Sequence, residues 1–319
     1  MATPAAGDHA PPASRRTAWR GLQLLLAVGV VAFATVTLWR QWQAVRHTGF
    51  TPDFRPGWLL AASALVLATY ALLIETWRRT LRACGARLGF GESSRIWNVS
   101  NLGKYVPGKI WQVTAMTMML QRRGVPLATS SGAAVVVTLA NLMVGFSIVL
   151  VLGASTLDVV PGGANTIAVA VALGAVGLLA APALVPRLSV AAGRMLRRDV
   201  PAVAMPATAI WWSVAGCGVA WVLYGVAFRL FVVGVLGEAR GTLSSYVVVY
   251  TGSYLIGYVA LFVPGGLGVR ELALTASLPA FGLATAPEAV LVTVASRLWL
   301  TALELLPGLA YLALGRRAR

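Results

Sequence analysis

Residues 101–113 read NLGKYVPGKIWQV, and the path of this stretch decides the topology of the chain. Pro107 and Gly108 stand between Lys104 and Lys109, the only lysines among 26 cationic side chains. Pro107 lacks an N–H and disfavours helix at Val106, while Gly103 and Gly108 add backbone freedom. A helix broken here, amid apolar sequence, needs something to solvate its freed backbone and two ammonium groups.

Outward from this stretch the chain is apolar. Of 319 residues, 58% are hydrophobic and 11% charged, and mean hydropathy is +0.77. A bilayer-spanning helix takes about 20 apolar residues. Runs of this kind occupy 21–38, 57–74, 131–155, 164–185, 207–228, 243–263 and 288–314, with a shorter run at 272–286 and an interrupted one at 97–120. No segment alternates as a membrane β-strand does. The fold class is all-α, a polytopic helical membrane protein with about eight transmembrane helices. The chain divides into a disordered cytoplasmic tail at 1–20, one transmembrane domain at 21–315 and a basic cytoplasmic C-terminus at 316–319.

The net charge of +16 comes from arginines gathered in short connectors. That pattern fits the cytoplasmic side of a cell membrane and contact with anionic headgroups there. Basic and aromatic residues do not interleave as a nucleic-acid groove requires, so no nucleic-acid partner is expected. Cys84 falls in a connector and Cys217 inside a helix, which argues against a disulfide. His9 and His47 both lie outside the apolar runs, and neither a metal cluster nor a Walker A loop is present. No metal, no cofactor and no catalytic residue is expected.

The arginines also fix the path of 97–120. With Arg15, Arg16 and Arg20 inside, the second span delivers Arg78, Arg79, Arg82, Arg87 and Arg95 to the inside. If 97–120 crossed, Arg122 and Arg123 would fall outside, while the Lys- and Arg-free connector 156–163 would fall inside. The rule is restored if the stretch is re-entrant, entering and leaving on one side. Arg316, Arg317 and Arg319 then land inside as well, provided 272–286 crosses. Broken backbone at membrane depth survives only when buried in protein or lining a wet cavity. A polar pocket is therefore expected around the loop.

A weak pseudo-repeat supports this reading. KYVPGKI at 104–110 is echoed by LFVPGGL at 261–267, sharing aromatic-Val-Pro-Gly through Tyr105 and Phe262. The second copy continues through Pro264, Gly265, Gly266 and Gly268 to Arg270 and Glu271. Two broken segments, one in each half, are a sequence pointer to a transporter-type site. Arg297 and Glu304, seven residues apart, share a face of the last helix. An arginine at the bilayer centre costs about 3 kcal/mol, so both should face the interior. One role for them is an ion-pair network with Arg270 or Glu271; the other is holding an anionic group through Arg297.

NLGKYVPGKIWQV, followed by FVPGGLGVRELAL and an arginine-bearing last helix, resembles the lysylphosphatidylglycerol synthase transmembrane family, also called flippase-like domain proteins. The resemblance implies movement of polar or anionic lipids, phospholipid or isoprenoid-linked glycolipid, between leaflets. The chain ends just after the last helix, without the soluble aminoacyltransferase domain of the two-part synthases, so lysyl-lipid synthesis is not expected. On this reading Lys104, Lys109, Arg270, Arg297, Glu271, Glu304, Asn101 and Tyr105 form the substrate-binding set. Gly103, Pro107, Gly108, Pro264, Gly265, Gly266 and Gly268 shape the loops. A plainer account has the lysines snorkelling to the cytoplasmic interface. A membrane-embedded glycosyl- or acyltransferase is the alternative from another class, although acid–base groups are scarce. A third reading is a non-transporting scaffold for envelope-synthesis proteins.

Overall fold

The computed structural model describes residues 53–105, 110–154, 206–259 and 268–317, together with isolated helical positions at 36, 43 and between 165 and 187. The tail at 1–20 and most of the spans expected at 21–38 and 164–185 lie outside the described residues. Eight α-helices are described: α1 (Pro56–Ala83), α2 (Phe90–Asn101), α3 (Ile110–Gln121), α4 (Leu127–Ala154), α5 (Ala207–Leu236), α6 (Leu243–Val259), α7 (Val269–Ala280) and α8 (Ala286–Arg317). A short 3-10 turn, Leu102–Tyr105, extends α2.

Four of these helices, α1, α4, α5 and α8, are long and apolar enough to cross a membrane, with spans of 28, 27, 30 and 29 residues. At 1.5 Å per residue each reaches about 40 Å, beyond the roughly 30 Å of hydrocarbon. The centre of the bundle is α5, whose spacing of glycines explains its position. Gly216 and Gly234, eighteen residues apart, share one face, and Gly225 lies midway on the opposite face. A Cβ on Gly216 would lie 2.9 Å from Thr76 Cβ, and one on Gly234 would lie 2.7 Å from Leu59 Cγ, both in α1. A Cβ on Gly225 would lie 2.7 Å from Val247 Cα, in α6. Small residues thus let α5 sit between α1 and α6 at close range, as helices do in lipid, where hydrophobic drive between them is absent.

Contacts fix the helix directions. Leu59 lies by Gly234 and Thr76 by Gly216, so α1 and α5 are antiparallel. The Cys217 thiol lies 3.9 Å from the Val137 carbonyl, and Trp221 Nε1 donates to the Asn141 carbonyl at 3.0 Å, so α4 runs parallel to α5. Trp299 Nε1 donates to Ser63 Oγ at 2.8 Å, and Tyr70 reaches Glu304 at 3.5 Å, so α8 runs parallel to α1. Both α1 and α8 therefore end at the arginine-rich end of the bundle, and both α4 and α5 begin there.

Consequently 84–126 leaves α1 and joins α4 at the same end. Within it, α2 runs inward, antiparallel to α8: Tyr311 donates to Ser94 Oγ at 3.0 Å, and Gly308 abuts the Asn98 carbonyl. The return arm is α3. This is the re-entrant hairpin expected from the arginines. Its base is closed by an Arg123–Glu92 ion pair, and nearer the tip Gln112 Nε2 donates to Asn101 Oδ1. A Cβ on Gly103 would lie 2.9 Å from the Gln112 nitrogen, so only glycine lets the two arms approach there.

A second hairpin enters from the opposite end. Helix α6 starts there, and α7 returns alongside α8, with Thr275 Oγ1 donating to Thr293 Oγ1 at 3.0 Å. Its base is pinned by Arg240, which forks onto Glu288 at 2.8 and 3.1 Å. The run expected at 272–286 is instead Val269–Ala280, 12 residues long. At about 18 Å it is a half-length arm. It ends where Leu283 N–H bonds back to the Leu278 carbonyl around Gly282. Each arm pair flanks one copy of the Val-Pro-Gly echo. The pseudo-repeat thus corresponds to two hairpins inserted from opposite ends, although Val106–Lys109 and 260–267 themselves lie outside the described residues.

Gly225→Val should force α5 and α6 apart and cost about 1–3 kcal/mol, as overpacking does. Gly218→Ala should be tolerated, because its Cβ would sit 3.6 Å from Val144 Cγ1, an ordinary contact. Thermal denaturation of both variants in detergent, against the parent, checks the contrast.

Candidate functional site

The arms of the two hairpins bring charged side chains together near the helix midpoints. Lys104, in the 3-10 turn, pairs with Glu304 of α8. Glu304 also accepts from Tyr70, at the middle of α1. Lys104 is thus held at mid-depth by a carboxylate rather than snorkelling to an interface. Arg297, one face-repeat earlier on α8, lies 3.2 Å from Glu271 Oε1 of α7. Side-chain exposure is 14% for Arg297 and 8% for Glu271, so this pair is the drier of the two. The contact has ion-pair distance without hydrogen-bond alignment, since Glu271 Oε1 has no hydrogen-bond partner among the described residues.

Glu271 does a second job. Gly268 opens α7 at φ +84, a conformation that side chains with a Cβ avoid. Its N–H donates to Glu271 Oε2 at 2.7 Å, closing the first turn of α7. One carboxylate therefore both caps α7 and tethers it to α8.

Arg270 stands apart. With both carboxylates engaged, it has no carboxylate within ion-pair distance among the described residues. Its guanidinium lies over the rings of Tyr250 and Tyr254, at 5.2 and 5.4 Å. One guanidinium nitrogen, Nη2, is buried with no hydrogen-bond partner among the described residues. Arg270 lies within electrostatic reach of Lys104 and Glu304, so the cations and acids form one cluster. Gly257 lets α6 close onto it: a Cβ there would lie 2.8 Å from Arg270 Cβ.

Tyrosines wall the cluster. Tyr224 stacks on Tyr250 at 5.6 Å and meets Tyr70 edge-on at 6.3 Å, while Trp221 packs on Tyr254 at 5.2 Å. Sequence reasoning missed these residues. A signal existed: Tyr246, Tyr250, Tyr254 and Tyr258 recur every four residues in α6, which puts them on one face.

Of the expected binding set, Lys104, Arg270, Glu271, Arg297 and Glu304 are brought together. Asn101 serves the hairpin stem through Gln112. Tyr105 is described in its backbone alone. Lys109, Pro107, Gly108, Pro264, Gly265 and Gly266 lie outside the described residues.

Arg297→Ala should strand Glu271 as a buried, uncompensated charge and cost about 3–5 kcal/mol. Combining Arg297→Met with Glu271→Gln should cost much less, because Gln keeps the cap and no charge is left unpaired. A double-mutant cycle on unfolding midpoints reads the coupling.

Comparison with family models matches residues 21–308 to the one described as lysylphosphatidylglycerol synthase TM region. Comparison with curated proteins returns no match.

Proposed function

The chain belongs to the lysylphosphatidylglycerol synthase transmembrane family, and from that premise we propose that it moves polar or anionic lipids between leaflets, binding the headgroup at the cluster around Arg270. The observation that carries this reading is the buried Arg270 guanidinium, stacked on two tyrosines and left without a carboxylate of its own. A buried cation at membrane depth with no carboxylate at ion-pair distance is costly and is a functional candidate by default. A phosphate accepts charge-assisted hydrogen bonds from a guanidinium, and the unpartnered Nη2 of Arg270 is a donor available for one.

The hairpins support the route. A charged headgroup crossing hydrocarbon faces a barrier of several kcal/mol or more. Hairpin arms entering from both ends bring cations to the middle of the bundle, where that barrier is highest. Lys104 and Arg297 belong to the same electrostatic cluster as Arg270 and would share the phosphate, and Lys109 is proposed to contribute as a further cation. Phospholipids and isoprenoid-linked glycolipids both carry such a phosphate with tails that stay in lipid.

Charge asymmetry orients the molecule. Arg78, Arg79, Arg82, Arg87, Arg95, Arg122 and Arg123 cluster at the end where α1 finishes and α4 begins. By the positive-inside rule that end faces the cytoplasm of a cell-membrane protein, with the N-terminus on the same side. Its partners are then membrane lipids, with anionic headgroups at the cytoplasmic face. The reaction is transport, without covalent chemistry on the lipid.

Purified protein in liposomes carrying headgroup-labelled lipid in one leaflet should speed transbilayer exchange. Arg270→Ala should lower the rate about tenfold or more, from loss of charge-assisted hydrogen bonds, with Lys109→Ala lowering it in the same direction. Unchanged thermal midpoints would separate this from unfolding. Absence of exchange for anionic and isoprenoid lipids, with and without a proton gradient, would replace transport by the scaffold reading.

A further inference from the structure

Outside the central cluster, a pocket of about 300 Å³ opens near the end of the bundle opposite the arginine-rich face. Its walls come from Trp58 of α1, Arg229, Leu230 and Val233 of α5, Glu238 of the following turn and Leu243 of α6. Arg229 lies seven residues inside the end of α5 at Leu236, about 10 Å along the helix axis. That is the level at which an arginine reaches lipid phosphates and Trp58 serves as an interface anchor.

The two charges in this pocket do not pair. Arg229 has neither an ion pair nor a side-chain hydrogen bond among the described residues. Among the described residues Glu238, 63% exposed, meets only Arg240 Nε, at 2.8 Å. Arg240 in turn gives both terminal nitrogens to Glu288. The pocket therefore offers a guanidinium seeking an anion and a carboxylate with acceptor capacity left. Leu230, Val233 and Leu243 give the same pocket an apolar lining.

We infer that this pocket binds a glycerophospholipid carrying a primary amine: the phosphodiester on Arg229, the ammonium on Glu238 and the first acyl carbons on the apolar lining. A hydroxyl headgroup such as glycerol would give Glu238 only a neutral hydrogen bond, weaker than the charge-assisted one from an ammonium. A quaternary ammonium would bring charge without an N–H donor. A volume of about 300 Å³ suits a headgroup and the start of the tails, at the lower end for ligand pockets. The inference is independent of the transport reading, because it concerns binding at one face.

Native mass spectrometry of the full chain in detergent, titrated with phosphatidylethanolamine, phosphatidylglycerol or phosphatidylcholine of matched chains, tests it. Phosphatidylethanolamine should bind about threefold to tenfold more tightly than the other two. Glu238→Gln should abolish that preference, and Arg229→Ala should weaken binding of all three. Glu238→Gln alters an exposed side chain, so it decides the matter even if Arg229→Ala folds poorly. Equal binding of the three lipids by the parent, or a preference that survives Glu238→Gln, overturns the assignment. Displacement by water-soluble glycerophosphoethanolamine at equal concentration overturns it too, since the tails would then add nothing.

Discussion

The Lys104–Glu304 pair is the constraint on which the rest of the structure depends. It joins a re-entrant turn to the middle of the last helix at a depth where neither charge is stable alone. Removing either partner leaves a charge that hydrocarbon does not solvate. The pair therefore fixes how far the first hairpin inserts, and hence where the chain breaks. Around it, Tyr70 from α1 supplies a further donor to Glu304, so α1 and α8 are held in register by the same carboxylate.

The second hairpin meets the same constraint with different chemistry. Its return arm starts on a glycine with positive φ, and the cap of that turn is the carboxylate that pairs with Arg297. Backbone satisfaction and charge compensation are thus one arrangement. At the bases, Arg123–Glu92 and Arg240–Glu288 do equivalent work at opposite ends of the bundle. Each hairpin is pinned at its base by an ion pair and at its inner end by a cation–carboxylate contact with α8. Helix α8 is therefore the shared wall against which two oppositely inserted elements are set.

Much of this was legible in the sequence. The arginines around 97–120 dictated a stretch that returns to its own side, and α1, α4 and their arginine-rich connector have that geometry. The seven-residue spacing of Arg297 and Glu304 gave their common face. Periodicity gives a face but not the neighbour packed against it. The network expected with Arg270 or Glu271 formed through Glu271, whereas the link from Glu304 to Lys104 was not anticipated. The short α7 was read too far along the chain because apolar composition extends past Ala280, while a backbone turn at Gly282 ends the helix. Arg229 closes the apolar run expected at 207–228, whereas the helix carries on past it to Leu236. The tyrosines of α6 were overlooked although their four-residue spacing was present.

The pairing scheme has a consequence for how a headgroup would engage the site. Lys104 and Arg297 already face carboxylates, so an incoming phosphate contacting either one must compete with Glu304 or Glu271. Arg270 imposes no such competition, since its counter-surface is the faces of Tyr250 and Tyr254. The ring faces contribute roughly 1 kcal/mol to holding the guanidinium, and its buried Nη2 has no hydrogen-bond partner among the described residues. On the transport reading, Arg270 is then the position where an anion gains most and displaces least. The paired cations become available only as their carboxylates let go. Binding at Arg270 would loosen Lys104–Glu304 by supplying Lys104 with a second anion within reach. That exchange would weaken the contact that ties the first hairpin to α8, which couples the occupancy of the site to the position of that hairpin.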